Sequence, residues 1–173
     1  IMDADGQDDP NTIIDLIKMN NTKVSDAIVV ERTNRREPFW FKFLYFVHKT
    51  FLFLFTGNQI RFGNFSLLKF KKIRNLIHKS DIWAAYPAAI VNNLNKISRI
   101  KSERKRRYSG NSKVNLYKLF NHSSRVFSVF KYKILITSIV YSYLLYLIFG
   151  NDNLIFFFFT VAIIIANLYN FYI

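Results

Sequence analysis

The chain has 173 residues, with 25 Lys and Arg against 11 Asp and Glu for a formal net charge of +14, and 51% of its residues are hydrophobic. That length holds one modest domain. The absence of cysteine excludes disulfides, cysteine-ligated zinc or iron–sulfur centres and thiol catalysis.

The charge is unevenly spread. Residues 1–37 carry eight of the acids and five basic residues, whereas residues 38–133 carry twenty basic residues and only two acids, Asp81 and Glu103. An excess of this kind has to meet anionic lipid headgroups, acidic protein faces or nucleic-acid phosphates.

In chain order, residues 1–37 form an acidic, turn-rich and partly extended arm. Its opening, Met2 to Pro10, has too little apolar surface to fold by itself. It resembles neither a secretory signal nor an import presequence. Asn11 and Thr12 can cap a short helix suggested by Ile13, Ile14, Leu16 and Ile17, with Asp15 placed favourably in its first turn. The stretch 24–31 is too brief to assign.

Residues 39–56 are long enough to span a bilayer but contain Lys42, His48 and Lys49. Lys42, Lys49 and Thr56 recur every seven residues, so on a helix they form one narrow stripe with Phe and Leu covering the rest. A charge near a bilayer centre costs several kcal/mol unless paired, which favours a helix lying in the interface over one that spans. Trp40, Lys42, Tyr45 and Lys49 are the expected interfacial anchors. The alternative is a helix covering the side of a larger membrane assembly.

Residues 59–79 mix apolar and basic side chains in an imperfect amphipathic helical pattern. Phe65, Leu68, Lys72 and Asn75 line one side and Phe70, Ile73 and Ile77 another. Ser80 and Asp81 offer a cap for the next segment, in which Pro87 either starts or kinks a helix. Ile90, Leu94, Ile97 and Ile100 continue a helical stripe. The densest charge run follows, with Lys96, Arg99, Lys101, Arg104, Lys105, Arg106 and Arg107 against Glu103. As a polybasic surface near a membrane it would bind anionic lipid such as cardiolipin, at about 1 kcal/mol per well-placed cation. It could equally contact phosphates of nucleic acid without reading sequence, or dock on an acidic neighbour. The aromatics are scattered and do not alternate with the cations as stacking platforms, which disfavours nucleic acid.

The last forty residues, 134–173, contain no Lys, Arg, His or Glu and one acid, Asp152. Two apolar runs, 134–149 and 154–173, flank Gly150, Asn151, Asp152 and Asn153, residue types that end helices and close turns. The second run is about 30 Å long as a helix and the first about 24 Å, matching a bilayer's hydrocarbon core. Lys131 and Lys133 can bury their stems and reach the headgroups. Ser138, Ser142, Thr160, Ala162 and Ala166 are expected where helix backbones approach closely.

The expected fold is therefore an all-α membrane protein, with a transmembrane helical hairpin at 134–173 preceded by interfacial helix 39–56, amphipathic helices and a basic extramembrane region. The basic bias places both termini on the inner side of the membrane. His48, His78 and His122 stand singly, so no metal or cofactor ligand set is recognisable. His48 is the one plausible ligand for a haem or quinone-site role, and its partner would have to come from another chain. Tyr141, Tyr143 and Asn167 are thin material for a channel. No catalytic residue is nominated.

Abundant Phe, Tyr, Asn, Lys and Ile beside five Gly and three Pro, with Ile at position 1, give the chain a character that resembles divergent, mitochondrially encoded membrane proteins of protists such as ciliates. The resemblance covers overall character and no particular motif. It implies a non-catalytic accessory subunit of an inner-membrane respiratory-chain complex, part of an oxidoreductase assembly, with other membrane subunits and anionic phospholipid as partners and the bulk of the chain in the matrix. A membrane subunit of the ATP synthase and a membrane-tethered ribosome- or nucleic-acid-associated protein are the alternatives.

Overall fold

Ala27, Ile28, Val29 and Val30 are each 1% exposed or less, so four consecutive side chains of one extended segment are buried on alternate sides. Only the middle strand of a sheet covered on both faces meets that requirement. In the computed structural model, which describes residues 1–33, 39–103, 105, 115–149 and 154–172, this segment is strand β1, Ala27–Thr33. It lies at the centre of a three-stranded sheet, antiparallel to β2 (Phe62–Leu68) and parallel to β3 (Ile97–Glu103). Helix α1 (Thr12–Thr22) precedes β1, and α2 (Phe39–Thr56) is inserted between β1 and β2. Three short helices, α3 (Phe70–Leu76), α4 (Ser80–Ala84) and α5 (Tyr86–Asn93), join β2 to β3, and α6 (Leu116–Val129), α7 (Lys131–Phe149) and α8 (Leu154–Tyr172) complete the described chain.

The alternation along the strands builds two cores. Ile28, Val30 and Phe65 pack with Leu16 of α1, and Leu67 and Ile100 lie against them. Ala27, Val29 and Phe62 face the other way, onto Leu76 of α3 and Ile90 of α5, with Leu94, Leu68 and Ile97 alongside. A third cluster has no strand in it: Leu52 of α2, Ala85 and Ala88, Val126 and Val129 of α6, Phe130, and Ile134 of α7. Helix α5 belongs to both of the last two, since Ile90 points to the sheet while Ala88, 0% exposed and without bulk, admits the helical layer. Asn92 fixes this junction by donating from Nδ2 to the carbonyl of Val129 at 3.1 Å.

The all-α expectation is corrected by the sheet. Residues 24–31, too brief to assign from sequence, supply most of the central strand, and β2 and β3 replace parts of the expected amphipathic helices. Phe62 and Phe65 are three residues apart, as are Ile97 and Ile100, a spacing that mimics one helical face. In the sheet the members of each pair enter opposite cores. The other helices agree with the sequence more closely. Pro87 sits in the first turn of α5, where its missing N–H costs nothing. The expected caps differ: Lys79, not Ser80 or Asp81, is the N-cap of α4, and Asn11 is helical and makes no side-chain cap. Helix α2 ends at Gly57, whose φ of 68° is the left-handed conformation of a helix terminator.

Helices α7 and α8 run antiparallel, with Tyr132 packed on Phe171 at one level and Ser138 bonded to Asn167 at the next. By length and composition α7 is the one described helix able to cross a membrane, while the described apolar stretch Phe158–Tyr172 of α8 is shorter. The turn expected at Gly150 to Asn153 lies outside the described residues.

The acidic arm is tied to the sheet instead of standing apart. The backbone N–H of Ser66 donates to the carbonyl of Ile1, and Lys105 N–H donates to the carbonyl of Gln7. Arg32 is the principal fastening: its guanidinium donates to Asp8 at 2.9 and 3.1 Å and to Asp3 at 3.0 Å. Burial alone would lower the pKa of Arg32, but Asp8 and then Asp3 raise it overall, so the side chain stays charged. Gly63 leaves the space the fork needs, because a Cβ there would lie 3.1 Å from the guanidinium carbon. Replacing Arg32 by Met strands the Asp8 carboxylate, 3% exposed. The expected loss is about 3–5 kcal/mol, read by denaturant unfolding of the detergent-solubilised chain, and adding Asp8→Asn restores part of it.

Candidate functional site

Helix α3 is anchored by Leu76, 2% exposed in the core below the sheet, and by half-buried Ile73 one turn earlier. That leaves its other face to Phe70, Lys71 and Arg74, all exposed. Lys69 precedes the helix in extended conformation and its carbonyl accepts the N–H groups of Lys72 and Ile73, while His78 and Lys79 follow, also exposed. From Lys69 to Lys79 there are five Lys or Arg and a histidine with no acid. Phe70 is 80% exposed, and Trp83, one turn into α4, is 78% exposed. A ring at that exposure within a cationic segment is an unsatisfied apolar surface beside unsatisfied charge.

Among the described residues, the ion pairs of the α/β unit engage only one cation of this face. Asp3 and Asp8 hold Arg32, Asp9 pairs with Lys105 at 3.1 Å, and Glu31 lies 3.6 Å from Arg99. Asp26 takes one member of the run, Lys72, at 3.1 Å, and this bond, ahead of its backbone bond from Lys96, holds the Asp26 carboxyl below its usual range. The Asp9 carboxyl is lowered too, first by the Asn11 N–H and then by Lys105. Asp81 accepts from the side-chain amides of Asn92 and Asn93. Among the described residues no acid pairs with Lys69, Lys71 or Arg74.

The cations singled out from sequence are dispersed. Lys96 is exposed at the entrance to β3, with its N–H donated to Asp26, and Lys101 is an exposed residue of β3. Arg99 and Lys105 are consumed by Glu31 and Asp9, and Arg104, Arg106 and Arg107 lie outside the described residues. Lys131 sits over the rings of Tyr132 and Phe171 and Lys133 over Phe130, at 5.4 to 5.8 Å. The α3 run was visible in the sequence as an acid-free cluster. Its display was not, because that depends on which side of α3 the sheet covers.

The second candidate region is a cleft between α2, α6, α7 and α8, with a volume of about 1370 Å³. Of the expected interfacial anchors, Trp40 is 50% exposed, Lys42 is exposed, and Tyr45 and Lys49 line the cleft with Lys49 5.0 Å above the Tyr45 ring. Among the expected packing residues, Ser138 is buried and accepts from Asn167 Nδ2 at 3.0 Å. Ser142 and Thr160 are half-buried, and Ala162 and Ala166 are exposed to the cleft. The polar partner of Ser138 is thus Asn167, which composition alone offered only as a possible channel residue. His48 packs edge-on to Phe127 with ring centroids 5.2 Å apart. Among the described residues no group of three His, Asp or Glu could hold a metal ion.

Burial, and secondarily His122, lowers the His48 pKa to about 4 from 6.5. Below pH 6.5 the unfolded chain takes up a proton that the native imidazole refuses until about pH 4. Stability is therefore expected to fall as pH drops through that window, and His48→Phe, which keeps the ring against Phe127, flattens the dependence in thermal unfolding across the same range.

Comparison with protein-family models, characterised proteins and solved structures finds no match to this chain.

Proposed function

We propose that this chain is a non-catalytic, membrane-held protein whose α/β unit contacts single-stranded RNA of a ribosome. The observation that carries this reading is the run from Lys69 to Trp83, in which Lys69, Lys71 and Arg74 are exposed without acidic partners among the described residues and Phe70 and Trp83 are exposed rings. Cations supply phosphate binding, and exposed rings supply stacking that tolerates any base. Phe70 stands exposed among the α3 cations and Trp83 is exposed on α4, which raises nucleic acid above its rank in the linear sequence.

The helical layer supports attachment to a membrane. Helix α7 has the length to cross one, and the outer faces of α2 and α7 expose Phe43, Phe46, Ile136, Ile139 and Leu147 at 56% or more. The same faces favour a second reading, an accessory subunit of a mitochondrial inner-membrane complex, respiratory or ATP synthase, in which neighbouring helices cover them. In both readings the α/β unit lies on the matrix side and anionic lipid contributes to stability.

Sedimentation of detergent-solubilised mitochondria separates the two. The RNA reading expects the chain in ribosomal fractions and its release by nuclease; comigration with respiratory or synthase subunits on native gels, unaffected by nuclease, supports the second. Carbonate extraction that leaves the chain in solution defeats membrane attachment. With the purified chain and single-stranded RNA, replacing Lys69 and Lys71 by Glu should lower the salt slope by about 0.7 for each phosphate deprived of its cation. Phe70→Ala or Trp83→Ala should cost about 1–3 kcal/mol with the slope unchanged.

A further inference from the structure

The cleft between α2, α6, α7 and α8 exceeds the roughly 300–1,000 Å³ of a small-molecule site, and its polar and apolar parts are segregated. From Ile134 to Ile148 the α7 side of the cleft rises about 21 Å along the helix, and α8 faces it from Asn170 to Phe159. This long wall is apolar except at Ser138, Tyr141, Asn167 and Asn170, with Tyr169 at its foot. The cationic lining comes from α2 and α6, as Lys49 and Lys118, and His48 and His122 line the cleft from the same two helices. Arg32 and Asp3 also reach the cleft but satisfy each other. Asp3 is the one carboxylate among the described lining residues, so the lining carries net positive charge.

One buried polar atom in this cleft lacks a partner among the described residues. Asn167 is 8% exposed, and its Nδ2 donates to Ser138 Oγ at 3.0 Å and to the carbonyl of Ile163 at 2.9 Å. Its Oδ1 is buried with no hydrogen-bond donor among the described residues. A buried acceptor left in that state is costly, so the site calls for a ligand O–H or N–H. Phe120 of α6 packs on Tyr169 of α8, which brings the Lys118–His122 turn of α6 to the level of Asn167. Ser138 and Asn167 lie toward the Ile134 end of the wall, where α6 packs on α8 through Phe120 and on α2 through Phe127.

We propose that this cleft binds one anionic phospholipid with a hydroxyl-bearing headgroup, its acyl chains along the α7–α8 wall, its phosphate at Lys118, and its headgroup hydroxyl donating to Asn167 Oδ1. A zwitterionic choline lipid has the chains but brings a second cation to Lys118 and no hydroxyl to Asn167. The site is independent of RNA, since none of Lys69, Lys71, Arg74 or Trp83 lines it.

The test is native mass spectrometry of the full chain in detergent, titrated with phosphatidylglycerol or with phosphatidylcholine of the same acyl chains. One phosphatidylglycerol should be retained per chain, at least ten-fold more tightly than phosphatidylcholine. Lys118→Glu and Asn167→Leu should each remove most of that preference, while Lys133→Glu, outside the cleft, should leave it intact. Should a variant fold poorly, the unaltered chain still decides the matter, because phosphatidylglycerol should raise its Tm above that in phosphatidylcholine. Equal retention of the two lipids, retention without a one-to-one limit, or equal Tm in both would overturn the proposal.

Discussion

Burial of both faces of β1 is the constraint on which the rest of the molecule depends. A strand whose successive side chains Ala27 to Val30 are all excluded from water must be flanked by strands and covered by apolar layers above and below. Helix α1 supplies one cover, and α3 with α5 supplies the other. The connection that carries α3, α4 and α5 also crosses from β2 to the far side of β1, where β3 pairs parallel to β1. Covering the sheet on that side is also what turns Phe70, Lys71 and Arg74 outward.

The same sheet accounts for the way charge is distributed. The acidic arm folds back so that Asp3 and Asp8 meet Arg32, a side chain 13% exposed that would be unfavourable without them. Asp26 and Glu31 sit at and near the ends of β1 and draw in Lys72 and Arg99. Acids are thereby spent inside the α/β unit, and the formal charge of +14 is expressed on the remaining surface. An exposed cation loses little by standing alone in water and gains when a phosphate arrives, so such a face suits a polyanion better than it suits stability.

Helix α2 couples the two halves of the molecule. Antiparallel neighbours such as β1 and β2 can be joined by a two-residue turn, yet here an 18-residue helix leaves the sheet and packs on α6 and α7. Tyr141 of α7 donates its hydroxyl to the carbonyl of Leu54 at 2.8 Å, and Phe55 meets the same ring edge-on. The third core is consequently built from segments inserted between the strands and segments that follow the last of them. The helical layer is thus an integral part of the fold, and any surface that its outer faces contact is held in fixed relation to the α3 face.

The apolar carboxyl-terminal runs, the helix at 39–56 and the cationic middle were legible in the sequence, because long uninterrupted apolar stretches and net charge do not depend on what lies beside them. The sheet was not. Its strands are seven residues long, and Phe62 with Phe65, like Ile97 with Ile100, carry the three-residue spacing of a helix while their side chains diverge into separate cores. Short strands take their identity from their partners, and those partners are distant along the chain. Which cations stay available, and that Asn167 rather than an alanine meets Ser138, were likewise settled by tertiary structure, since both depend on groups that only folding brings within a few ångströms.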